Sequence, residues 1–216
     1  MILKVKQIKQ ETKDVFSLVF EKPKDFRFYA GQYLDYELSN DTRAFTISAS
    51  PTEDFLMLST KHGHTPFKKA LIKLKIKDQI SSSHPAGTFI LDEKSPAVFI
   101  AGGIGITPFR SMIKWAFDQK LKTPMALFYS NSDNDFPFKK SLNQWRKKLP
   151  NLKIIYINTT KEGYLNFETI KNSKFNIQNS IFYLAGPPKM VDSFEKILLE
   201  QKVDKTNIRY DHFDGY

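Results

Sequence analysis

The chain has 216 residues, 41% hydrophobic and 14% aromatic, enough to bury one substantial core or two smaller ones, and two compact domains are the better expectation. It contains no cysteine, which excludes disulfides, thiolate catalysis and a cysteine-ligated iron–sulfur cluster within these residues. A net charge of +10 suits an acidic protein or a phosphorylated ligand; no recognisable nucleic-acid module accompanies the lysines, so nucleic-acid binding is not expected.

No apolar run is long enough to span a bilayer, and the opening MILKVKQIKQETKDVF lacks the apolar segment of a secretory signal. The expectation is a cytoplasmic protein. The four histidines, His62, His64, His84 and His212, are scattered, and no carboxylate cluster surrounds the pair at 62 and 64. That pair reads as solvated or phosphate-facing, and no metal site is expected.

Residues 1–94 read as β-rich. ILKVKQIKQ and DVFSLVF alternate apolar and polar side chains, QYLDYEL and RAFTIS follow the turn at Ala30-Gly31, and FLMLST follows Pro51 to Asp54. Short strands broken by Pro and Gly suggest an antiparallel sandwich or a small barrel. One helix interrupts them: Thr65-Pro66 is a cap and first helical position, and Phe67, Ala70, Leu71 and Leu74 recur at helical spacing. SHPAGTFIL, 83–91, reads as a turn and a last strand.

From Pro96 the rhythm changes. Apolar runs at 97–101, 125–129, 154–157 and 181–185 are each followed by a helical pattern, and NIRYDHF supplies a fifth strand. The expectation is a doubly wound parallel sheet over 95–216. In such sheets ligands bind beyond the carboxyl ends of the strands, here the loops 102–107, 130–136, 158–164 and 186–189. The first of these, AGGIGITPF, is a strand, glycine turn and helix. Gly102, Gly103 and Gly105 allow a ligand close to the main chain, Thr107 and Pro108 read as cap and first-turn proline, and the open amides favour an anion such as a pyrophosphate. A purely structural turn is the alternative.

Two stretches of the first domain could also bind. RAFTISAS, 43–50, places Arg43, Phe45 and Ile47 on one side and Thr46, Ser48 and Ser50 on the other if it stays extended. It could offer a guanidinium to a phosphate and a hydroxyl to a ring nitrogen, or be an ordinary half-buried strand. TKHGHTPF, 60–67, brings Lys61, Gly63 and the capping Thr65 to a helix start, again an anion site.

These segments together resemble the ferredoxin–NADP reductase-like flavoproteins, of a short bacterial type without an iron–sulfur domain. RAFTIS resembles the family's flavin motif, GHT at 63–65 its pyrophosphate-holding segment, and PAGTF at 85–89 the turn closing the flavin domain. GGIGITP at 102–108 is similar to the nicotinamide-nucleotide loop, AGPPKMV at 185–191 to the second nucleotide motif, and FDGY at 213–216 to an aromatic tail covering the flavin. The resemblance implies an antiparallel β-barrel FAD-binding domain, 1–94, followed by the α/β NAD(P)-binding domain, 95–216. It implies that Arg43 pairs with the flavin phosphate, Phe45 packs near the flavin, and Thr46 hydrogen-bonds its N5 edge. Lys61, Gly63 and Thr65 would hold the FAD pyrophosphate. Gly102, Gly103, Gly105, Thr107, Pro108 and Ser130 would seat the pyridine nucleotide, and Gly186, Pro187 and Met190 would line the nicotinamide side. Tyr216, or Phe213 if the tail is shifted, would stack on the isoalloxazine, so that Thr46 and Tyr216 are the catalytic candidates.

The sequence also departs from the family. Phe45 replaces a tyrosine and Ala185 a cysteine, and Ser132 stands where NADPH-using relatives often have an arginine. Lys139 and Lys140 could compensate, or Asp133 could accept a ribose hydroxyl of NADH. The implied function is an FAD-dependent NAD(P)H reductase, with FMN the less favoured flavin, serving an acidic ferredoxin, flavodoxin or oxygenase component. The alternatives are a free-flavin or quinone reductase, or a non-catalytic flavin- or nucleotide-binding subunit.

Overall fold

Alternation of apolar and polar residues builds the first sheet. The structure, a computed structural model, describes residues 1–213. Strands β1 (Ile2–Thr12), β2 (Val15–Glu21), β3 (Tyr33–Leu38), β4 (Asp41–Thr46), β5 (Phe55–Lys61) and, after helix α1 (Pro66–Lys73), β6 (Gln79–Ser82) form an antiparallel sheet in the order β4-β3-β6-β1-β2-β5. The sheet closes on itself just beyond β4, where Ile47 bridges to Leu58 and Ser48 N–H donates to Met57 O at 2.8 Å. The result is a small barrel filled by Phe20, Leu34, Tyr36 and Leu58, all fully buried. Closure removes the exposed sheet edges. It also explains why strict alternation fails after Phe45: Thr46, Ile47, Ser48, Ala49 and Ser50 are all buried, because the chain there leaves β3 and crosses to β5.

The last strand of this sheet is β6, earlier than SHPAGTFIL suggested. Within 83–91 only Ala86 pairs, in an isolated bridge to Tyr33. The apolar residues there serve another purpose. Phe89 packs against the rings of Phe109 and Tyr183, and Arg209 donates to Ile90 O at 2.7 Å, so the segment is an extended tie laid across the second sheet.

That second sheet comprises β7 (Ala97–Gly102), β8 (Met125–Asn131), β9 (Leu152–Asn158), β10 (Ile181–Gly186) and β11 (Ile208–His212), all parallel, in the order β11-β10-β7-β8-β9. Continuous apolar runs are what a parallel sheet buried on both faces requires. Helices α2 (Ile106–Asp118) and α3 (Lys139–Lys148) pack on one face with the core that reaches the barrel. The short α4 (Thr159–Glu162) follows β9, and α5 (Phe167–Asn172) and α6 (Pro188–Glu200) cover the other face. The chain winds outward from β7 to β9 and returns to the far side of β7 with β10. The carboxyl ends of β7 and β10 therefore diverge into loops of opposite direction, the crevice where doubly wound sheets bind ligands.

The two sheets are locked together by α2. Arg110 is a charge on an otherwise apolar helix face and is 7% exposed. Its guanidinium grips Glu53, in the turn between β4 and β5, through two hydrogen bonds of 2.6 and 2.8 Å, and donates to Ser48 O at 2.8 Å. The rings of Phe138 and Trp145 lie 5.6 and 5.4 Å from its central carbon. Next to it, Ser111 Oγ donates to Ala49 O at 2.6 Å, and Thr52 bonds Asp118 from the barrel side. Removing one partner leaves a buried, uncompensated charge, which costs about 3–5 kcal/mol. Arg110→Met should therefore lower unfolding free energy by about that amount in denaturant titration, and Arg110→Met with Glu53→Leu should recover most of it. A single variant as stable as the parent would show that the fork contributes little.

Candidate functional site

Two pockets open on either side of the turn between β7 and α2. The first is lined by Tyr33, Phe45 and Thr46 of the barrel, Thr60 of β5, Lys68 of α1, Ile104 and Thr107 of the turn, and Asp211, His212 and Phe213 at the end of β11. The second, of about 640 Å³, is lined by Gly102 and Gly103, by Ser130, Asn131 and Ser132 beyond β8, by Thr159 and Tyr164 beyond β9, and by Pro187, Lys189 and Met190 beyond β10, with Lys61 reaching in from the barrel. All four loops expected at the carboxyl ends of the strands thus contribute. Neighbouring residues of one turn face both pockets: Gly102 and Gly103 one, Ile104 and Thr107 the other.

The turn is thin because glycine makes it so. Gly103 has φ of 54°, a conformation that side chains resist, and a Cβ placed on Gly105 would stand 2.2 Å from Ala185 O. A Cβ on Gly186 would lie 3.1 Å from the Cα of Gly102, so the diverging ends of β7 and β10 meet almost backbone to backbone. Helix α2 starts two residues before the position that the Thr107-Pro108 pair suggested. Gly105 is its N-cap, Ile106 its first residue, and Thr107 Oγ1 donates back to Ile104 O at 3.1 Å instead of capping. The first amides of the helix are left without a side-chain cap, as an anion site requires.

Thr65 does cap α1, accepting from Lys68 N–H at 3.3 Å with Pro66 at the first position. Lys68 folds back over Gly63, where a Cβ would stand 2.5 Å from Lys68 Cδ, and so enters the first pocket. Burial, with Lys61 nearby, lowers the pKa of Lys68. A half-buried ammonium beside a second lysine is a site for an anion. Phe45 stacks on Phe67 of α1 at 5.8 Å and meets Tyr36 edge-on at 6.0 Å, so its ring is held without a phenol. In the second pocket the Ser130 hydroxyl is buried without a hydrogen-bond partner among the described residues, a polar group awaiting a ligand.

Residues 99–196 match the family model described as the oxidoreductase NAD-binding domain. The chain is 25% identical to the flavohemoprotein of Oceanobacillus iheyensis, covering 97% of this chain and 57% of that protein. It is 28% identical to the toluate 1,2-dioxygenase electron transfer component of Pseudomonas putida, covering 86% of this chain and 59% of that protein. It therefore spans a little over half the length of these curated relatives. Among solved structures, the FAD/NAD-binding domain of nitric oxide dioxygenase from Vibrio cholerae superposes with a TM-score of 0.86 at 21% identity, covering 98% of both chains. Ferredoxin-NADP+ reductase from Plasmodium falciparum superposes with a TM-score of 0.84 at 19% identity, covering 98% of this chain and 95% of that one. The fold is that of the ferredoxin–NADP reductase-like structures.

The expected site residues fall into three groups. Phe45, Thr46, Thr107 and Phe213 line the first pocket, and Lys61, Gly102, Gly103, Ser130, Pro187 and Met190 line the second. Arg43, Gly63, Thr65, Gly105, Pro108 and Gly186 line neither: Arg43 is ion-paired with Asp41 at 3.1 Å, Thr65 and Gly63 place Lys68, and the others shape the turn. Tyr216 lies outside the described residues, while Phe213, from the same FDGY segment, donates its N–H to Gly186 O at 2.9 Å. Neither suggested substitute for the missing arginine lines the second pocket. Lys139 lies over the rings of Phe136 and Tyr156, and it shares with Lys140 a separate cleft beside Arg110. Asp133 is occupied by other bonds, described below.

Sequence reasoning missed Lys68, Asp211 and the Arg110–Glu53 fork. Lys68 stands three residues after its cap, and Arg110 interrupts an apolar stripe, which is a signal for a buried partner. Among the described residues no helix is long and apolar enough to cross a membrane.

Asp211 carries a pH signature. Burial pushes its carboxyl up to about 6, opposed by the neighbouring His212. An unfolded aspartate titrates near ~3.9, so the folded state binds the extra proton between these values. The resulting stabilisation is present in full below about pH 4 and lost as pH rises through about 6. Melting temperature should fall across that window in the parent relative to Asp211→Asn; parallel pH profiles would show that Asp211 titrates normally.

Proposed function

We propose that the chain is an FAD-dependent NAD(P)H reductase domain, with the first pocket taking the flavin and the second the pyridine nucleotide. The observation that carries this reading is the shared wall: one glycine turn, without protruding side chains at Gly102 and Gly103, separates the two pockets. FAD, when bound, accepts a hydride from the nicotinamide and releases the electrons one at a time to an acceptor.

The residues on this chain would hold, orient and shield. Lys68 would meet the diphosphate charge, and the Thr65 cap fixes the turn from which Lys68 extends. Thr46, 5% exposed and in the first pocket, would offer its hydroxyl to the flavin edge. Phe45 and Tyr33 supply apolar walls, and Phe213 an aromatic ring on the side of β11. On the nucleotide side the uncapped start of α2 and Lys189 favour the pyrophosphate, and Ser130 finds the partner it lacks. Division into 1–94 and 95–216 follows from this assignment, with Glu53 and Arg110 on opposite sides of the boundary. As acceptor we favour an acidic electron carrier, such as a ferredoxin or flavodoxin, or an oxygenase component, because the chain carries ten excess positive charges.

Steady-state oxidation of NADH or NADPH with an artificial one-electron acceptor tests the reading. Turnover should require FAD and change little with ionic strength, whereas reduction of an acidic ferredoxin or flavodoxin should slow steeply as salt screens the encounter. Turnover equal with and without FAD would overturn the flavin assignment, and a salt-independent protein acceptor would overturn the charge-guided one.

A further inference from the structure

The loop that leaves β8 carries Asp133. In dinucleotide-binding sheets an acidic residue beyond the glycine turn hydrogen-bonds the ribose 2′-hydroxyl of NADH, whereas a cation there accommodates the 2′-phosphate of NADPH. Asp133 is placed for the first role but engaged elsewhere. Its Oδ1 accepts from Asn131 Nδ2 at 3.0 Å and from Asp135 N–H at 2.9 Å. Its Oδ2 faces Lys13 Nζ at 3.2 Å.

Lys13 belongs to the other sheet. It sits in the turn between β1 and β2 of the barrel, and its N–H also donates to Asp135 Oδ2 at 3.0 Å. The hairpin thus holds the loop twice. The Asp135 amide and Lys13 keep the Asp133 carboxyl below the usual carboxylate range, so it stays charged. From the opposite side Thr159 and Thr160 donate their hydroxyls to Asn131 O and Ser132 O, at 3.3 and 2.5 Å. The loop is consequently fixed with Asn131 and Ser132 in the wall of the nucleotide pocket and Asp133 outside it. Among the described residues that line the pocket there is no carboxylate, and the cations are Lys61 and Lys189.

We propose that Lys13, supplied by the barrel, sets the discrimination between NADPH and NADH by holding the Asp133 carboxylate out of the nucleotide pocket. The inference rests on the reductase reading and concerns the same pocket. With the carboxylate engaged, the adenosine ribose meets the hydroxyl of Ser132 and the charge of Lys61, an environment that accepts a 2′-phosphate. Releasing the carboxylate repels that phosphate and offers a 2′-hydroxyl an ionised acceptor. Selectivity for the nucleotide is therefore governed from the domain that does not bind it.

The test is calorimetric titration of the FAD-loaded protein with 2′-phospho-AMP and with 5′-AMP, neither of which can reduce the flavin. Lys13→Met should shift the ratio of the two dissociation constants toward 5′-AMP by roughly two- to fivefold, the worth of one exposed ion pair. The side chain of Lys13 is 66% exposed, so the variant should fold and retain FAD. Lys13→Met with Asp133→Asn should return the ratio to the parent's, and Asp133→Asn alone should leave it near the parent's. Equal weakening of both ligands in Lys13→Met would reveal only a loosened loop, and an unchanged ratio would remove Lys13 from selectivity; either overturns the proposal. A parent protein that binds neither ligand would overturn the nucleotide assignment of the pocket and this proposal with it.

Discussion

The Arg110–Glu53 fork is the contact on which the arrangement of the two pockets depends. Arg110 lies on the helix whose first turn is the glycine wall, and Glu53 lies on the turn that joins β4, which carries Phe45 and Thr46, to β5, which carries Thr60 and Lys61. One ion pair therefore fixes the residues of the first pocket against those of the second. A guanidinium suits this position because its planar fork takes a carboxylate with two bonds and still donates to Ser48 O. Burial of both charges is costly in itself. What it gives is register: without it the sheets would be joined by the extended tie around Phe89 and by smaller contacts such as Ser111 to Ala49.

Backbone proximity does the rest. Where β7 and β10 part, Gly102, Gly105, Ala185 and Gly186 crowd so closely that added side-chain atoms would collide with main chain at several points. The absence of side chains is what lets two pockets share a wall. Ala185 is fully buried, and its carbonyl oxygen is the atom that a side chain at Gly105 would strike. The barrel contributes cations at both mouths, Lys68 to the first pocket from the first turn of α1 and Lys61 to the second from the end of β5. It also reaches the loop after β8 through the Lys13–Asp133 ion pair.

Much of this was legible in the sequence, and the exceptions share a cause. The parallel strands could be read because a strand buried on both faces must be continuously apolar, as VFIA and IFYLA are. Helix α1 could be read because Thr65-Pro66 acts locally. Local reasoning failed where a distant partner decides. Phe89 and Ile90 looked like a strand but are apolar because they cover Phe109 and Tyr183. Thr107 looked like a cap, yet the close packing of Gly105 on Ala185 lets the helix begin earlier. Lys139 and Lys140 were near enough in sequence to serve the nucleotide loop, but the helix they open faces another cleft. Asp133 could be recognised as a candidate but not as one already bound, since Lys13 is 120 positions away in the sequence.

The central claim is that a nucleotide held in one pocket would place its nicotinamide directly against a flavin held in the other, where the two pockets meet at the glycine turn. The most direct measurement is the visible absorption spectrum of FAD-loaded protein under strict anaerobiosis, before and after mixing with NADH or, separately, NADPH. The flavin bands should bleach within the mixing experiment with at least one nucleotide, and the FAD should remain bound through gel filtration. A protein that retains FAD but is bleached by neither nucleotide would contradict the shared-wall reading, and one that retains no flavin at all would contradict the assignment of the first pocket.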